Sequence, residues 1–183
     1  MKARKVKKLD PDGAFRANAE KMALVRIDEV WSFGKKALDP EEVEALHAMR
    51  IAAKRLRYLL EMTEPCFGTP AKEGAKVARE LQDLLGEIHD CDVMGPRVTA
   101  HVDRLREEDV LVAFDGAPED AGDLAPGLMR GARNGPRYRG LETLTAYLEA
   151  RRRVLHREFV RVWTKLQDED FRETLEQGLV KAK

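Results

Sequence analysis

The chain has 183 residues, 36% of them charged and 6% aromatic, with 33 Lys and Arg against 33 Asp and Glu. That length suits one domain with a sizeable core and is short for two, and a formal net charge of zero lets bulk charge say nothing about partners. No run approaches 18 apolar residues, which excludes a membrane-spanning helix, and two cysteines without a CxxC spacing, Cys66 and Cys91, exclude a disulfide framework or a zinc ribbon.

Charge is segregated along the chain. Residues 2–8 carry five cations, while residues 151–165 carry six against the single Glu158. Residues 107–123 hold seven acids and no Lys or Arg. Such segregation builds local potential without net charge. The basic start, residues 1–13, reads as a tail. It runs into Asp10-Pro11-Asp12-Gly13 with no apolar stretch behind it, so it is not a signal peptide. A soluble, cytoplasmic protein with reduced thiols is the expectation.

A first helix is predicted over 14–38, with Ala19, Met22, Ala23, Ile27, Val30 and Phe33 on one face. Asp39-Pro40-Glu41-Glu42 then starts a second, with Asp39 as N-cap, Pro40 at the first position and acids where the helix dipole favours them. In this helix Leu46, Met49, Ala53, Leu56 and Leu60 recur as a core seam. One step round, His47, Arg50, Lys54 and Arg57 repeat the same spacing, about 100° away. No Asp or Glu lies in residues 47–57. A solvated helix face normally interleaves both signs, so this stripe is the leading candidate for a polyanion site: Arg grips phosphate with paired donors, and phosphate favours a protonated His. The competing reading is a solvated face whose Lys and Arg stems cover the core edge.

The second helix is expected to end near Pro65, with a tight turn at Phe67-Gly68-Thr69-Pro70. A third helix, 71–94, carries Leu81, Leu84, Leu85 and Ile88. Pro96 is expected to kink or restart it, with Val98, Val102 and Leu105 continuing to about 108. His89-Asp90-Cys91-Asp92-Val93 closes this helix. Asp92 falls beside the seam and needs a cationic partner, for which the second helix is the expected source. Lys72, Lys76, Arg79, Asp83 and Asp90 lie on the other side, a solvated face apart from Arg79. Residues 109–137, rich in Gly and Pro, are expected to be a long, mobile, acidic loop. It would cover the basic face when no ligand is bound.

A fourth helix begins near Tyr138, with a seam at Leu141, Leu144, Leu148, Leu155, Phe159, Val162 and Leu166. Arg151, Arg152 and His156 beside that seam would form a second wall for the same anion, with a plain surface run as the alternative. Four seams make an all-α, four-helix bundle the expected fold. One domain is expected, 14–183. A sharp competitor for function is a metal-dependent phosphohydrolase built from His47, His89 and Asp90, with a later Asp such as Asp103. Against it, Arg50, Lys54 and Arg57 beside a cation would oppose binding.

Leu46-His47-Ala48-Met49-Arg50-Ile51-Ala52-Ala53-Lys54-Arg55-Leu56-Arg57 resembles the signature of the CHAD family (conserved histidine α-helical domain): a His, an Arg three on, a basic pair, then a further Arg. The family's second element, Leu-Gly followed by Arg-Asp-x-Asp-Val, is similar to Leu85-Gly86 and then His89-Asp90-Cys91-Asp92-Val93. His89 stands where the family has Arg, so one cation is conditional on pH. The likeness runs from about Phe15 to Val98 and returns loosely over Leu148 to Leu166. The resemblance implies a non-catalytic module that binds inorganic polyphosphate through a basic surface and localises to polyphosphate granules, with no cofactor and no metal. It implies contacts from His47, Arg50, Lys54, Arg55 and Arg57, with Arg79, Arg151, Arg152 and His156 in second rank and His89, Asp90 and Asp92 supporting. The family's usual arrangement has two such bundles, so this chain would supply one half and a homodimer would restore the other. Cations alone do not distinguish one phosphate backbone from another, which leaves nucleic acid as an alternative partner.

Overall fold

In the computed structural model, which describes residues 2–125 and 127–181, the chain is all-α. Helix α1 spans Phe15–Trp31, α2 Gly34–Ala37, α3 Val43–Phe67, α4 Thr69–Asp115, α5 Gly135–Asp168 and α6 Phe171–Lys181, with a 3₁₀ turn at Leu128–Gly131. The chain divides into two compact units where one domain is expected: residues up to His89 together with those from Arg153 on, and Asp90–Arg152. The four-helix count is thus replaced by a richer set of elements. Among the described residues no helix is long and apolar enough to cross a membrane.

The first unit holds one continuous core. Ala19, Ala23, Ile27 and Val30 of α1 meet Leu46, Met49, Ala53, Leu56 and Leu60 of α3, with Leu81, Leu85 and Ile88 from α4. Phe159 and Trp163 of α5 and Leu175 and Leu179 of α6 complete it. Alanines at 45, 48, 52 and 53 are buried along α3. Short side chains let neighbouring helices approach closely, and leucines one turn away fill the space that remains. Trp163 is fully buried and its ring sits so near Gly34 that a Cβ there would stand 2.3 Å from it. Glycine at 34 is required by that approach.

The expected first helix is two. Ser32 Oγ donates to the Glu29 carbonyl at 2.8 Å, and the chain turns before α2. The N-cap expected at Asp39 lies in a turn instead: Asp39 Oδ1 accepts the Glu41 amide at 2.9 Å, and α3 starts at Val43. Pro65 sits inside the last turns of α3, which ends at Gly68 with φ 62°, a left-handed conformation open to glycine. The basic start is not a loose tail. Arg26 Nη2 donates to the Arg4 carbonyl at 2.6 Å, Lys21 Nζ donates to the Lys8 carbonyl at 2.9 Å, and Arg4 pairs with Asp28.

Glu29 is 1% exposed inside this unit. Arg26, one turn before it, donates to its Oε2, and Arg55 Nη1 of α3 donates to Oε1 at 2.9 Å. A buried carboxylate is tolerated only when paired and hydrogen-bonded, and here both oxygens are engaged.

The second unit is built from the end of α4 and the start of α5. Proline at 96 costs a helix about 3 kcal/mol, yet α4 runs through it from 69 to 115, so the helix does not restart there. Val98, Val102, Leu105 and Ala113 bury on one face beyond it, and that burial offsets the lost bond. Helix thus replaces both ends of the loop expected over 109–137, leaving 116–134 between α4 and α5; Pro126 lies outside the described residues. The base of that connection is pinned. Asn134 Nδ2 donates to Asp109 Oδ1 at 3.0 Å and to the Leu105 carbonyl at 3.2 Å, while Tyr138 Oη donates to Asp109 Oδ2. Burial first, and then this bond to a carboxylate, push the Tyr138 phenol up to about 12.

Glu29→Ala strips two guanidinium groups of their buried counter-charge, and breaking such a pair costs about 3 kcal/mol. Urea unfolding followed by circular dichroism is expected to show that loss relative to wild type, and Glu29→Asp a smaller one.

Candidate functional site

The α3 stripe forms as a face of the first unit. Because the seam beside it is buried, its members are lifted only partly into water: His47, Arg50 and Arg57 are half-buried and Lys54 is exposed. Half-burial matters because a donor taken out of water without a partner costs about 1–3 kcal/mol. Five buried side-chain polar atoms among the described residues have no hydrogen-bond partner, and three belong to this stripe: His47 Nδ1, Arg50 Nε and Arg57 Nε. The other two are Gln82 Oε1, on the α4 face that also carries Gly86 and His89, and Trp163 Nε1 in the core. Buried nitrogens without a hydrogen-bond partner thus collect on the face that also gathers positive charge.

Two neighbours shape it. Across from the stripe, α4 presents Gly86, where a Cβ would stand 3.5 Å from Arg50 Nε. Lacking a side chain, residue 86 lets the α4 backbone lie close against Arg50. One turn on, His89 packs on His47 with ring centroids 4.5 Å apart and planes tilted by 37°. At the other end Arg57 lies over the exposed Tyr58 ring at 4.3 Å and Lys54 Nζ is 5.9 Å from it. The ring holds the two cations by cation–π attraction while leaving their donors available.

Acids bound the stripe at both ends. Glu61 Oε1 accepts from Arg79 Nη2 at 2.7 Å and stands 3.7 Å from Arg57 Nε. That bond raises the Arg79 guanidinium above its ordinary value. Glu61 continues the stripe's own spacing, one turn past Arg57, and so was readable from sequence as its terminus. Beyond it an open groove of about 580 Å³ mixes Glu61, Glu64 and Glu73 with Lys72, Lys76 and Arg79; its balanced signs make it a poor anion site.

The remaining expected contacts are placed differently. Arg55 follows Lys54 directly, and a step of about 100° turns it to Glu29, away from the stripe. His156 is buried, its Nε2–H donating to the Ala37 carbonyl at 3.0 Å, with Phe159 at 6.0 Å between ring centroids. It stands in the first unit's core and not on a basic wall. Arg151 and Arg152 belong to the second unit. There Arg152 Nε donates to Asp92 Oδ1, and Arg151 Nη1 lies 3.7 Å from Cys91 Sγ. The cation that Asp92 requires therefore comes from α5, where α3 was expected. Burial, with Asp92 and Asp90 adding to it, pushes the Cys91 thiol up; both cysteines are free. Asp90 is exposed. Among the described residues no group of three or more His, Cys, Asp or Glu is arranged to hold a metal ion.

With this geometry in place, the comparisons identify the class. The sequence profile of the CHAD domain matches residues 2–99, over half the chain. The protein belongs to the CHAD domain family. Two uncharacterized proteins of Mycobacterium tuberculosis are similar to it: Rv2226, 36% identical over 76 residues, and MT2285 of a second strain, 34% identical over 76 residues. The matched stretch is 40% of this chain and 14% of either relative's length. No solved structure matches the chain significantly.

Burial, the facing His89 and then Arg50 lower the His47 pKa from its ordinary 6.5, with Glu44 opposing them. Since the folded value lies below the unfolded one, the unfolded state binds more protons in that interval, so this group's share of stability is intact above 6.5 and declines as pH falls through it. Imidazole proton shifts followed by NMR are expected to titrate His47 below the value of a His47-containing peptide.

Proposed function

We propose that this protein is a non-catalytic binding module for inorganic polyphosphate, and that His47, Arg50, Lys54 and Arg57 are its principal contacts. The observation that carries the reading is the cationic stripe itself, His47, Arg50 and Arg57 half-buried and Lys54 exposed with no acid over residues 47–57, on one face of a CHAD domain. A phosphate chain supplies acceptors at short, regular intervals, matching donors spaced by single helix turns. Arginine pairs with phosphate oxygens through charge-assisted bonds, and Lys54 adds a mobile charge. Arg79 joins the same surface once a phosphate replaces Glu61. Arg55 supports the fold of the face without contacting the phosphate chain. Because contacts go to a polyanion, affinity is expected to fall steeply with salt as counterions are released, by analogy with other linear polyanions.

Arg50→Ala/Lys54→Ala/Arg57→Ala removes charge-assisted bonds worth about 1.5–3 kcal/mol each. Titration with long-chain polyphosphate is expected to show a loss of a hundredfold or more, with circular dichroism unchanged. Equal affinity for duplex DNA in a competition experiment would move the reading to nucleic acid. Glu61→Gln removes the carboxylate that competes with the ligand for Arg57 and Arg79. It is expected to tighten polyphosphate binding severalfold, and a weakened or unchanged affinity would show that Glu61 organises those arginines instead.

A further inference from the structure

We propose that the facing imidazoles of His47 and His89 make anion capture on this face proton-linked, so that the phosphate chain binds together with a proton and is released as pH rises. The inference rests on the polyphosphate reading above and deepens it by assigning a regulation to the same site.

Geometry carries the argument. His47 comes from α3 and His89 from α4, with rings 4.5 Å apart between centroids and tilted by 37°. Two imidazolium ions at that separation repel strongly, so the unliganded pair resists holding two protons. His47 Nδ1 is buried without a hydrogen-bond partner. A nitrogen in that position gains little from carrying a proton until something accepts it.

The surrounding charges act in the same direction. On α3, Arg50 opposes a proton on His47 and Glu44 favours one; on α4, His89 opposes it. Gly86, the other α4 residue at this end of the stripe, carries no charge, and Asp90 beside His89 in the chain is exposed. Burial adds to the opposition, and the balance lowers the His47 pKa. A phosphate laid along the stripe opposes the cationic influences among these. Its negative charge offsets Arg50 and stabilises a charged ring, which offers two donors where the neutral ring offers one.

Ligand and proton then promote each other by the same factor. The proton comes from solvent and comes to rest on an imidazole nitrogen, and no covalent bond is made or broken. An arginine at 89 would supply a permanent charge; a histidine there makes the charge conditional.

The test is calorimetric titration of the full chain with long-chain polyphosphate, whose interior phosphates stay ionised across the range, in two buffers of different ionisation heat. Linkage limits the effect to about tenfold in affinity per pH unit for each proton taken up. Wild type is expected to bind progressively more weakly as pH rises and the proton taken up with the ligand is lost. Its heats should differ between buffers in the sense of proton uptake. His89→Arg is expected to flatten the pH profile and keep tight binding at the alkaline end, and His47→Gln to flatten it with weaker binding at the acid end. Identical heats in both buffers together with one affinity across the range would overturn the proton linkage while leaving polyphosphate binding intact. Wild type that binds at no pH would overturn the polyphosphate reading, and the linkage with it.

Discussion

Everything on the candidate face depends on one buried carboxylate. Glu29 sits on the inner side of α1 and takes Arg26 from its own helix and Arg55 from α3. A charge so placed tolerates little displacement, because any rotation of α3 that withdrew Arg55 would strip Oε1 of its cation and leave Arg26 as the remaining guanidinium partner in the core. Arg55 thereby fixes the rotational phase of α3 against α1. With that phase set, Leu46, Met49, Ala53, Leu56 and Leu60 point inward, and His47, Arg50, Lys54 and Arg57 emerge along one flank. The ion pair contributes register, while burial of the apolar seam contributes most of the stabilisation.

The flanking position explains the chemistry of the stripe. Fully exposed cations would be screened and satisfied by water, and fully buried ones would need internal partners. At the edge of a seam they are half-covered, which leaves Arg50 Nε and Arg57 Nε unpartnered while their guanidinium ends remain within reach of a ligand. The protein limits the resulting repulsion locally. Tyr58 lies beneath Arg57, and Glu44 and Glu61 stand at the two ends. Gly86 lets the facing helix approach Arg50 closely. A face prepared in this way is what the polyanion proposal calls for.

How much of this could be read from sequence follows the distance over which each feature is encoded. The α3 seam and its stripe repeat within single turns, so local periodicity exposes them, and the turn at Gly68 is equally local. The role of Arg55 is not, since its partner lies 26 residues away on another helix. Adjacent basic residues look alike in sequence, and only the 100° step between them separates one that binds outward from one that pairs inward. His156 misleads for a related reason: its spacing from Arg152 imitates a wall, whereas its burial is decided by Ala37, 119 residues earlier. The acidic segment after 107 reads as loop because acids and glycines dominate it. The pairing of Asp109 with Asn134 and Tyr138, which lets α4 continue to Asp115, joins residues 25 and 29 apart. Glu61 is the opposite case, a signal present in the same helical spacing and lying just past the acid-free stretch.

The measurement that tests this account most directly is NMR of the arginine and histidine side chains, followed while long-chain polyphosphate is added. The account predicts that resonances of His47, Arg50 and Arg57 move together and saturate together, while Arg26 and Arg55, locked on Glu29, keep their positions. Shifts centred on Arg26 and Arg55, or saturating shifts that bypass the α3 stripe, would contradict it.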